Sequence, residues 1–528
     1  MYYTIINRIK SGSKVLYNVK DLDGCIKTIN SEAVKELIRN KNNTVSNATI
    51  QLDGRLRVTN KHMKTRKYIN GVTIYTGDEL LEFVRTNNLY NRQRDIVKEI
   101  TDYVSYTSNY NRNKMLIISG LRRTGKTISM IQAIANMIRN GISPNSIVFI
   151  DINKVTTNCN VICSILDKLS QKYIFIDEAT FIGDFINNGA RLYSYSRTNK
   201  RIIMSGTDSL VFPISLHTTL LDRAYMVRST HISYKEYTRL FGENVNYYQN
   251  GGTLTHDMEY GLRTYVDERL VNNIVNTIKR NESFDFELSG YGSIAKADRE
   301  TLIYNVVYTL TSVTNTIGKS GINVNLNNKQ IIDVVRDIVE TETINLEPLK
   351  GLVREIVQAL RELDIISYIP NMAVDNAHIK RETNSEYICS IQSLTYILLG
   401  HMYRLNMDKS SVNGKSMENL VLSECYEHFN KTNVKVGYYR YKHGNNTHEV
   451  DVVINYELLD RYEVTLIEVK HSNKPESSFA KHLVDDSLRF ITKNIRNRYV
   501  IYLGKTQKIR DIQYINLYEF LSNLDKWV

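Results

Sequence analysis

Between residues 114 and about 240, short unbroken apolar runs alternate with stretches in which apolar residues recur at a helical period. The runs are MLIIS, SIVFID, KYIFID and KRIIMSG. Each is too short for a helix and too continuously apolar for a strand with one wet face. This pattern predicts buried parallel strands separated by helices, a doubly wound α/β sheet with its ligand crevice at the strand ends. The flanking regions follow other periods. In residues 1–65, YTIINRIK and KVLYNVK flank Ser11-Gly12-Ser13, and TIQL and RLRVT flank Asp53-Gly54, with the short amphipathic helix SEAVKELIRN between. That predicts a small β-rich module built on hairpins. Residues 66–113 read as a mostly helical connector and 255–345 as a helical lid. Residues 346–400 read as two helices and a strand, a winged-helix-like segment, and 401–528 as a return to mixed α/β.

Composition changes this picture only at the margins. The 528 residues call for several domains, and 42% hydrophobic with 23% charged residues is globular rather than disordered. No apolar run is long enough to span a membrane, and MYYTIINRIKSGSK lacks the apolar core of a signal peptide. The five scattered cysteines show no metal-ligand spacing and read as reduced thiols, so a cytoplasmic location is expected. A net charge of +12 permits contact with nucleic acid but, spread along the chain, equally fits a solvated basic surface.

The chemistry begins where MLIIS ends. Gly120-Leu121-Arg122-Arg123-Thr124-Gly125-Lys126-Thr127 fits G-x-x-x-x-G-K-[ST], and ISMIQAIANMIRN continues as an amphipathic helix. Strand, glycine loop and helix in that order make a phosphate-binding loop. Its backbone N–H groups face an anion at the positive end of the helix. Lys126 supplies charge to the β- and γ-phosphates of ATP, and the Thr127 hydroxyl can ligate Mg2+. KYIFID ends in Asp177, followed by Glu178: the first would hold Mg2+ and the second polarise the attacking water, although two acids at a strand end also suit a helix N-cap. KRIIMSG ends near Ser205 and Thr207, which either sense the γ-phosphate or close an ordinary turn.

These residues carry a resemblance. The loop with its paired Arg122 and Arg123, then IFIDEA, MSGTDSL and LLDRAYMVRSTHISYKEYTRLF, resemble one prokaryotic group of AAA-type ATPases, and YYQNGGTL resembles the Gly-Gly element that follows there. The chain departs from the group at Asp222, where Gly usually precedes Arg223, and at Thr253-Leu254, which lacks a Pro. The resemblance implies a γ-phosphate-facing role for Arg223, a surface salt bridge being the alternative, and a tendency to assemble into homo-oligomers.

A second constellation lies in HEVDVVINYELLDRYEVTLIEVK, residues 448–470. Two strands are predicted, with Glu468 and Lys470 on one face and Asp451 across from them. Upstream, GKSMENLV opens a helix carrying Glu418. Glu, Asp and Glu-x-Lys in this order resemble the PD-(D/E)xK restriction-endonuclease-like fold, and the same ATPase group carries such a C-terminal domain. Asp451, Glu468 and Glu418 would cage a second Mg2+ or Mn2+, and Lys470 would position or deprotonate water. Alternating charges on a half-exposed hairpin would look the same without catalysis. The sequence therefore leaves three readings: an ATP-hydrolysing switch or motor with DNA as partner, a metal-dependent nuclease licensed by ATP, and a nucleotide-controlled interaction module. The β-rich N-terminus is expected to meet a protein partner or to serve packing alone.

Overall fold

A computed structural model describes most of residues 2–242 and 409–527 and, between them, short strands within 316–323 and 366–389. Contacts divide the chain into two units, Met1–Ser229 and Thr230–Val528. In the first unit a small sheet comes from β1 (Tyr2–Ser11), β2 (Lys14–Asp21), β3 (Ile26–Asn30) and, after helix α1 (Ser31–Arg39), β4 (Thr44–Ser46), in the order β3-β2-β1-β4. Ser11 pairs with Lys14 at the closed end of the β1–β2 ladder. The Asn30 side chain accepts the Ala33 N–H at 2.9 Å and caps α1, which buries Val34 against Ile5, Tyr17 and Val19. Strands β5 (Ala48–Ile50) and β6 (Leu56–Val58) pair across the Asp-Gly signal.

The large sheet uses β7 (Lys67–Ile69) and β8 (Val72–Thr76), followed by helices α2 (Gly77–Asn87) and α3 (Ile96–Val104). Strand β9 (Met115–Ser119), helix α4 (Lys126–Arg139), β10 (Ile147–Ile152), α5 (Cys159–Asp167) and β11 (Tyr173–Asp177) come next. Then follow α6 (Phe185–Asn188), α7 (Ala190–Ser196), β12 (Arg201–Ser205), α8 (Val211–His217) and β13 (Ala224–Arg228). The strand order is β13-β9-β12-β11-β10-β8-β7. Strands β13 to β10 are parallel; β8 and β7 are added antiparallel at one edge.

Side-chain alternation explains why the parallel strands are apolar throughout. Leu116 and Ile118 enter a core with α2, α3 and α4, while Met115 and Ile117 enter a second core with α5, α7 and α8 on the opposite face. The strand β7–β8 pair corrects the expectation of a helical 66–113 connector. Ile69 faces Val72, leaving only Asn70-Gly71 to connect the strands, and Gly71 takes φ 84°, which side chains with a Cβ rarely adopt. The Asn70-Gly71 pair is a hairpin signal that the helical expectation passed over. Helices α2 and α3 are in the expected places.

The second unit begins with α9 (Tyr234–Phe241). Strands β14 (Thr316–Gly318) and β15 (Gly321–Asn323) form a hairpin inside the segment expected to be a helical lid, where Gly318 and Gly321 favour a turn over a helix. Strand β16 (Ile366–Ile369) pairs with β19 (Glu386–Cys389) around the hairpin of β17 (Met372–Asp375) and β18 (His378–Arg381). The remainder of the lid, and the two helices expected in 346–400, lie outside the described residues.

The C-terminal part contains α10 (Lys409–Phe429), β20 (Val434–His443), β21 (Asn446–Glu457), β22 (Tyr462–Lys470), α11 (Lys481–Val484) and β23 (Ile495–Tyr502). It ends with β24 (Gln507–Ile509), β25 (Ile512–Asn516), α12 (Leu517–Ser522) and α13 (Leu524–Trp527). The sheet runs β20-β21-β22-β23-β25-β24, an antiparallel meander continued by two parallel neighbours, β23 and β25. Met417, Val421 and Cys425 of α10 pack on Val452, Ile454 and Ile467.

Helix α9 belongs to this core. Tyr234 and Tyr237 are buried in it, and the Tyr234 N–H donates to Glu424 Oε2 at 3.1 Å. The structural division therefore falls inside the 114–254 segment expected to form one core. Among the described residues no helix is long and apolar enough to cross a membrane. Cys25 is an exposed free thiol, and Cys159, Cys163 and Cys425 are buried free thiols.

Candidate active site

Strand β9 delivers the chain, fully buried, to Gly120. Gly125 takes φ 82° and ψ 17°, the left-handed conformation that bends the loop into α4. The Ser129 N–H and hydroxyl donate to the Gly125 carbonyl at 2.8 and 2.9 Å, closing the first turn. Lys126 is 6% exposed and folds back over the loop, its Nζ donating to the Gly120 carbonyl at 2.7 Å. The ammonium is thus held at Gly120, where phosphate oxygens would replace that carbonyl. Leu121, Arg122 and Arg123 lie outside the described residues, as does Thr207.

The sheet order puts β12 between β9 and β11, so three strand ends converge. Asp177, 5% exposed, ends β11. Its Oδ1 accepts from the Ser205 hydroxyl and, at 3.1 Å, from the Glu178 N–H, and the carboxylate also accepts from the Thr127 hydroxyl. Burial raises the Asp177 pKa above the ordinary carboxylate range, and the bonds from Ser205 and Thr127 oppose that rise without cancelling it. Glu178 has φ 55°, a left-handed conformation that costs a non-glycine residue roughly 1–2 kcal/mol. Strain of this kind, retained next to a buried carboxylate, marks functional turns.

Thr127 and Asp177 offer a hydroxyl and a carboxylate oxygen, donors suited to Mg2+. That ion keeps several waters and takes its remaining ligands from substrate phosphates. Accordingly, no group of three or more His, Cys, Asp or Glu side chains able to hold a metal by itself occurs among the described residues.

The second constellation also assembles, but as a balanced charge cluster. Glu468, 1% exposed, places Oε2 2.6 Å from Lys470 Nζ, and His482 Nδ1 lies 3.5 Å from its Oε1. Asp451 Oδ2 accepts the Val469 N–H at 2.7 Å and lies 3.5 Å from Lys470 Nζ. His448 Nδ1 is 3.4 Å from His482 Nε2. Burial and the neighbouring Asp451 raise the Glu468 pKa. Burial acts to lower that of Lys470, yet Asp451, Glu468 and Glu418 outweigh it and the pKa rises. The bond to Glu468 raises that of His482.

Among the described residues Glu418, Asp451 and Glu468 make no metal-ligating group, and Asp451 and Glu468 face Lys470 instead. Lys470 and His482 already compensate the carboxylates, and Glu418 reaches the cluster through its charge on Lys470. Glu449, beside Asp451, pairs with Arg440 across the strands at 2.6 Å.

Residues 112–238 match the family model of an AAA domain. These residues resemble an AAA domain. Residues 413–520 match a domain of unknown function, DUF4143. The chain is similar to the Walker-type ATPase PABY2304 of Pyrococcus abyssi, at 12% identity over 59% of this chain and 99% of that one, with a TM-score of 0.31. It is also similar to the Aeropyrum pernix ORC1 protein in complex with DNA, at 12% identity over 58% and 93%, TM-score 0.23. C. elegans PCH-2 gives 13% identity over 56% and 76%, TM-score 0.23. No curated protein matches the chain.

Within the AAA domain the structure brings together Gly120, Thr124, Gly125, Lys126, Thr127, Asp177, Glu178 and Ser205. It does not bring Arg223 to them. The Met115 N–H donates to the Arg223 carbonyl, so Arg223 sits at the amino end of the parallel pair β13–β9, while the loop leaves the carboxyl end. Its guanidinium is exposed and donates to the Thr219 carbonyl at 2.6 Å. A γ-phosphate on the same chain's loop is therefore out of reach.

Sequence reasoning passed over Arg94 and Ser229, which touch Thr124 from opposite ends of the domain. The one signal was an arginine–glutamine–arginine run opening an amphipathic helix.

Two outcomes follow from the charges. The raised Asp177 pKa means that ionising it weakens the fold: the penalty is absent below the unfolded-state pKa and grows as pH rises through the folded one. Asp177→Asn should raise the Tm of the nucleotide-free protein at pH 8, with the gain vanishing toward pH 4 in thermal scans. In the C-terminal cluster, Lys470→Met leaves Glu468 buried without its partner and should cost about 3 kcal/mol. Glu468→Gln with Lys470→Met should recover most of that. Urea titrations followed by the fluorescence of Trp527, the only tryptophan and packed on this core, read both.

Proposed function

We propose that the chain is a Mg2+-dependent ATP hydrolase acting as a switch, with DNA as the partner of its C-terminal domain. The observation that carries the first part is the convergence of Thr127, Ser205 and the buried Asp177 behind the glycine loop. Lys126 would exchange the Gly120 carbonyl for β- and γ-phosphate oxygens, with Leu121, Arg122 and Arg123 completing the loop. Thr127 and Asp177 would hold Mg2+, which when bound neutralises charge on the transferred phosphoryl group. Glu178 would accept a proton from the attacking water, and Ser205, with Thr207 beyond it, would fix the water and the γ-phosphate. Arg223, exposed at the far end of the sheet, would act on the nucleotide of an adjacent copy in a homo-oligomer. The net charge of +12 supports contact with a polyanion.

A second reading, an ATP-licensed DNA nuclease, is favoured by the meeting of Asp451, Glu468 and Lys470 at one point of the C-terminal sheet. It requires these carboxylates to release Lys470, which in the present arrangement they hold.

The test is ATP turnover with Mg2+, with and without DNA, while the DNA is followed on a gel. Lys126→Ala should abolish turnover, and Glu178→Gln should lower kcat by about a hundredfold or more while retaining ATP binding. DNA should stimulate turnover and stay intact. Parent-like turnover in both variants would contradict the proposal, and cutting lost in Lys470→Ala would favour the nuclease.

A further inference from the structure

Ser229, fully buried, closes β13 with three contacts. Its N–H donates to the Ser119 carbonyl at 2.8 Å, its carbonyl accepts from Arg94 Nη1 at 3.3 Å, and its hydroxyl lies 2.8 Å from the Thr124 hydroxyl. The same Arg94 nitrogen donates to the Thr124 carbonyl. Arg94 is 4% exposed although it stands in the segment before α3, well ahead of the loop in sequence. A guanidinium is expensive to bury, and one donating to two backbone carbonyls holds both in fixed orientation.

We propose that Arg94 is a positioning residue that shapes the phosphate loop for nucleotide, with Ser229 as its anchor; the proposal rests on the nucleotide reading of that loop. The reason lies in peptide geometry. In a planar trans peptide the C=O and the following N–H point in opposite directions. With the Thr124 carbonyl turned to Arg94, the Gly125 N–H is turned the other way, away from the guanidinium. That carbonyl is also kept from competing with phosphate oxygens for the loop's donors. The Thr124 hydroxyl, tied to Ser229, stops the peptide from rotating back. The loop is therefore set before the ligand arrives, and less of its binding free energy goes into ordering it.

The experiment is calorimetric titration of MgATP into the full chain, paired with steady-state kinetics and a thermal scan of the nucleotide-free protein. Arg94→Lys keeps the charge but ends one atom short of the Nη1 that reaches both carbonyls. It should raise the Kd and KM for ATP about tenfold to a hundredfold, the usual size for a charged hydrogen bond, while kcat at saturating ATP changes less than threefold. Ser229→Ala, which removes only the hydroxyl, should move Kd in the same direction by a smaller factor. Gln93→Ala serves as the comparator, because Gln93 bonds Asn136 on α4 at 3.2 Å, and it should leave Kd within twofold.

Arg94→Lys with a lowered Tm but an unaltered Kd would overturn the proposal, since the residue would then be structural only. Should Arg94→Lys fail to fold, an unaltered Kd in Ser229→Ala would overturn it equally. A parent chain that does not bind ATP would overturn the nucleotide reading and this proposal with it, a result distinct from either.

Discussion

The Asp177 carboxylate, buried at the end of β11, accepts from the Ser205 and Thr127 hydroxyls and from the Glu178 backbone. These contacts require three strand ends to meet, and that in turn requires β12 to lie between β9 and β11. A sheet that paired these strands in chain order would put β10 and β11 between β12 and β9, with Ser205 away from the glycine loop. Apolar alternation fills a core on each face of the sheet, so that every strand from β9 to β12 is buried on both sides. Packing thus sets the position of a carboxylate whose burial is unfavourable by itself. The hydroxyls that soften the penalty are the groups a bound Mg2+ and γ-phosphate would use.

The C-terminal cluster follows the opposite logic. Glu468 is more deeply buried than Asp177, but Lys470 and His482 compensate it from within the chain. At the loop, by contrast, the compensation consists of neutral hydroxyls and one N–H, which leaves an anionic oxygen available to a cation. The ATPase reading rests on geometry, while DNA contact rests on charge.

The large sheet was legible in the sequence because its strands are uninterrupted apolar runs, and the loop because Gly120 and Gly125 bracket it at a fixed spacing. Asp177, Glu178 and Ser205 were legible as strand-terminal polar residues, although nothing in the linear order said that Ser205 would lie beside Asp177. Strand β13 was harder to see. AYMVR is short, carries a terminal arginine and sat inside a stretch read for its motif, so its position next to β9 emerged only from the pairing. That same pairing moved Arg223 to the wrong end of the sheet for its own loop. Arg94 could be read only as one of two basic residues ahead of a helix, since its partners are carbonyls of Thr124 and Ser229, and backbone atoms leave no trace in side-chain pattern. The contacts of the C-terminal carboxylates were hidden for a related reason: the sequence shows which of them share a face, not that Lys470 and His482 lie against them.

The central claim is that the glycine loop and Asp177 form one nucleotide–metal site, and Mg2+-dependent ATP affinity measures it most directly. ATP is titrated into the parent and into Asp177→Asn, each with Mg2+ and with EDTA. The account expects Mg2+ to strengthen binding to the parent by on the order of tenfold or more and to do so far less in the variant, whose affinity in EDTA stays near that of the parent. Equal Mg2+ enhancement in both proteins would contradict it, because the ion would then be held without Asp177.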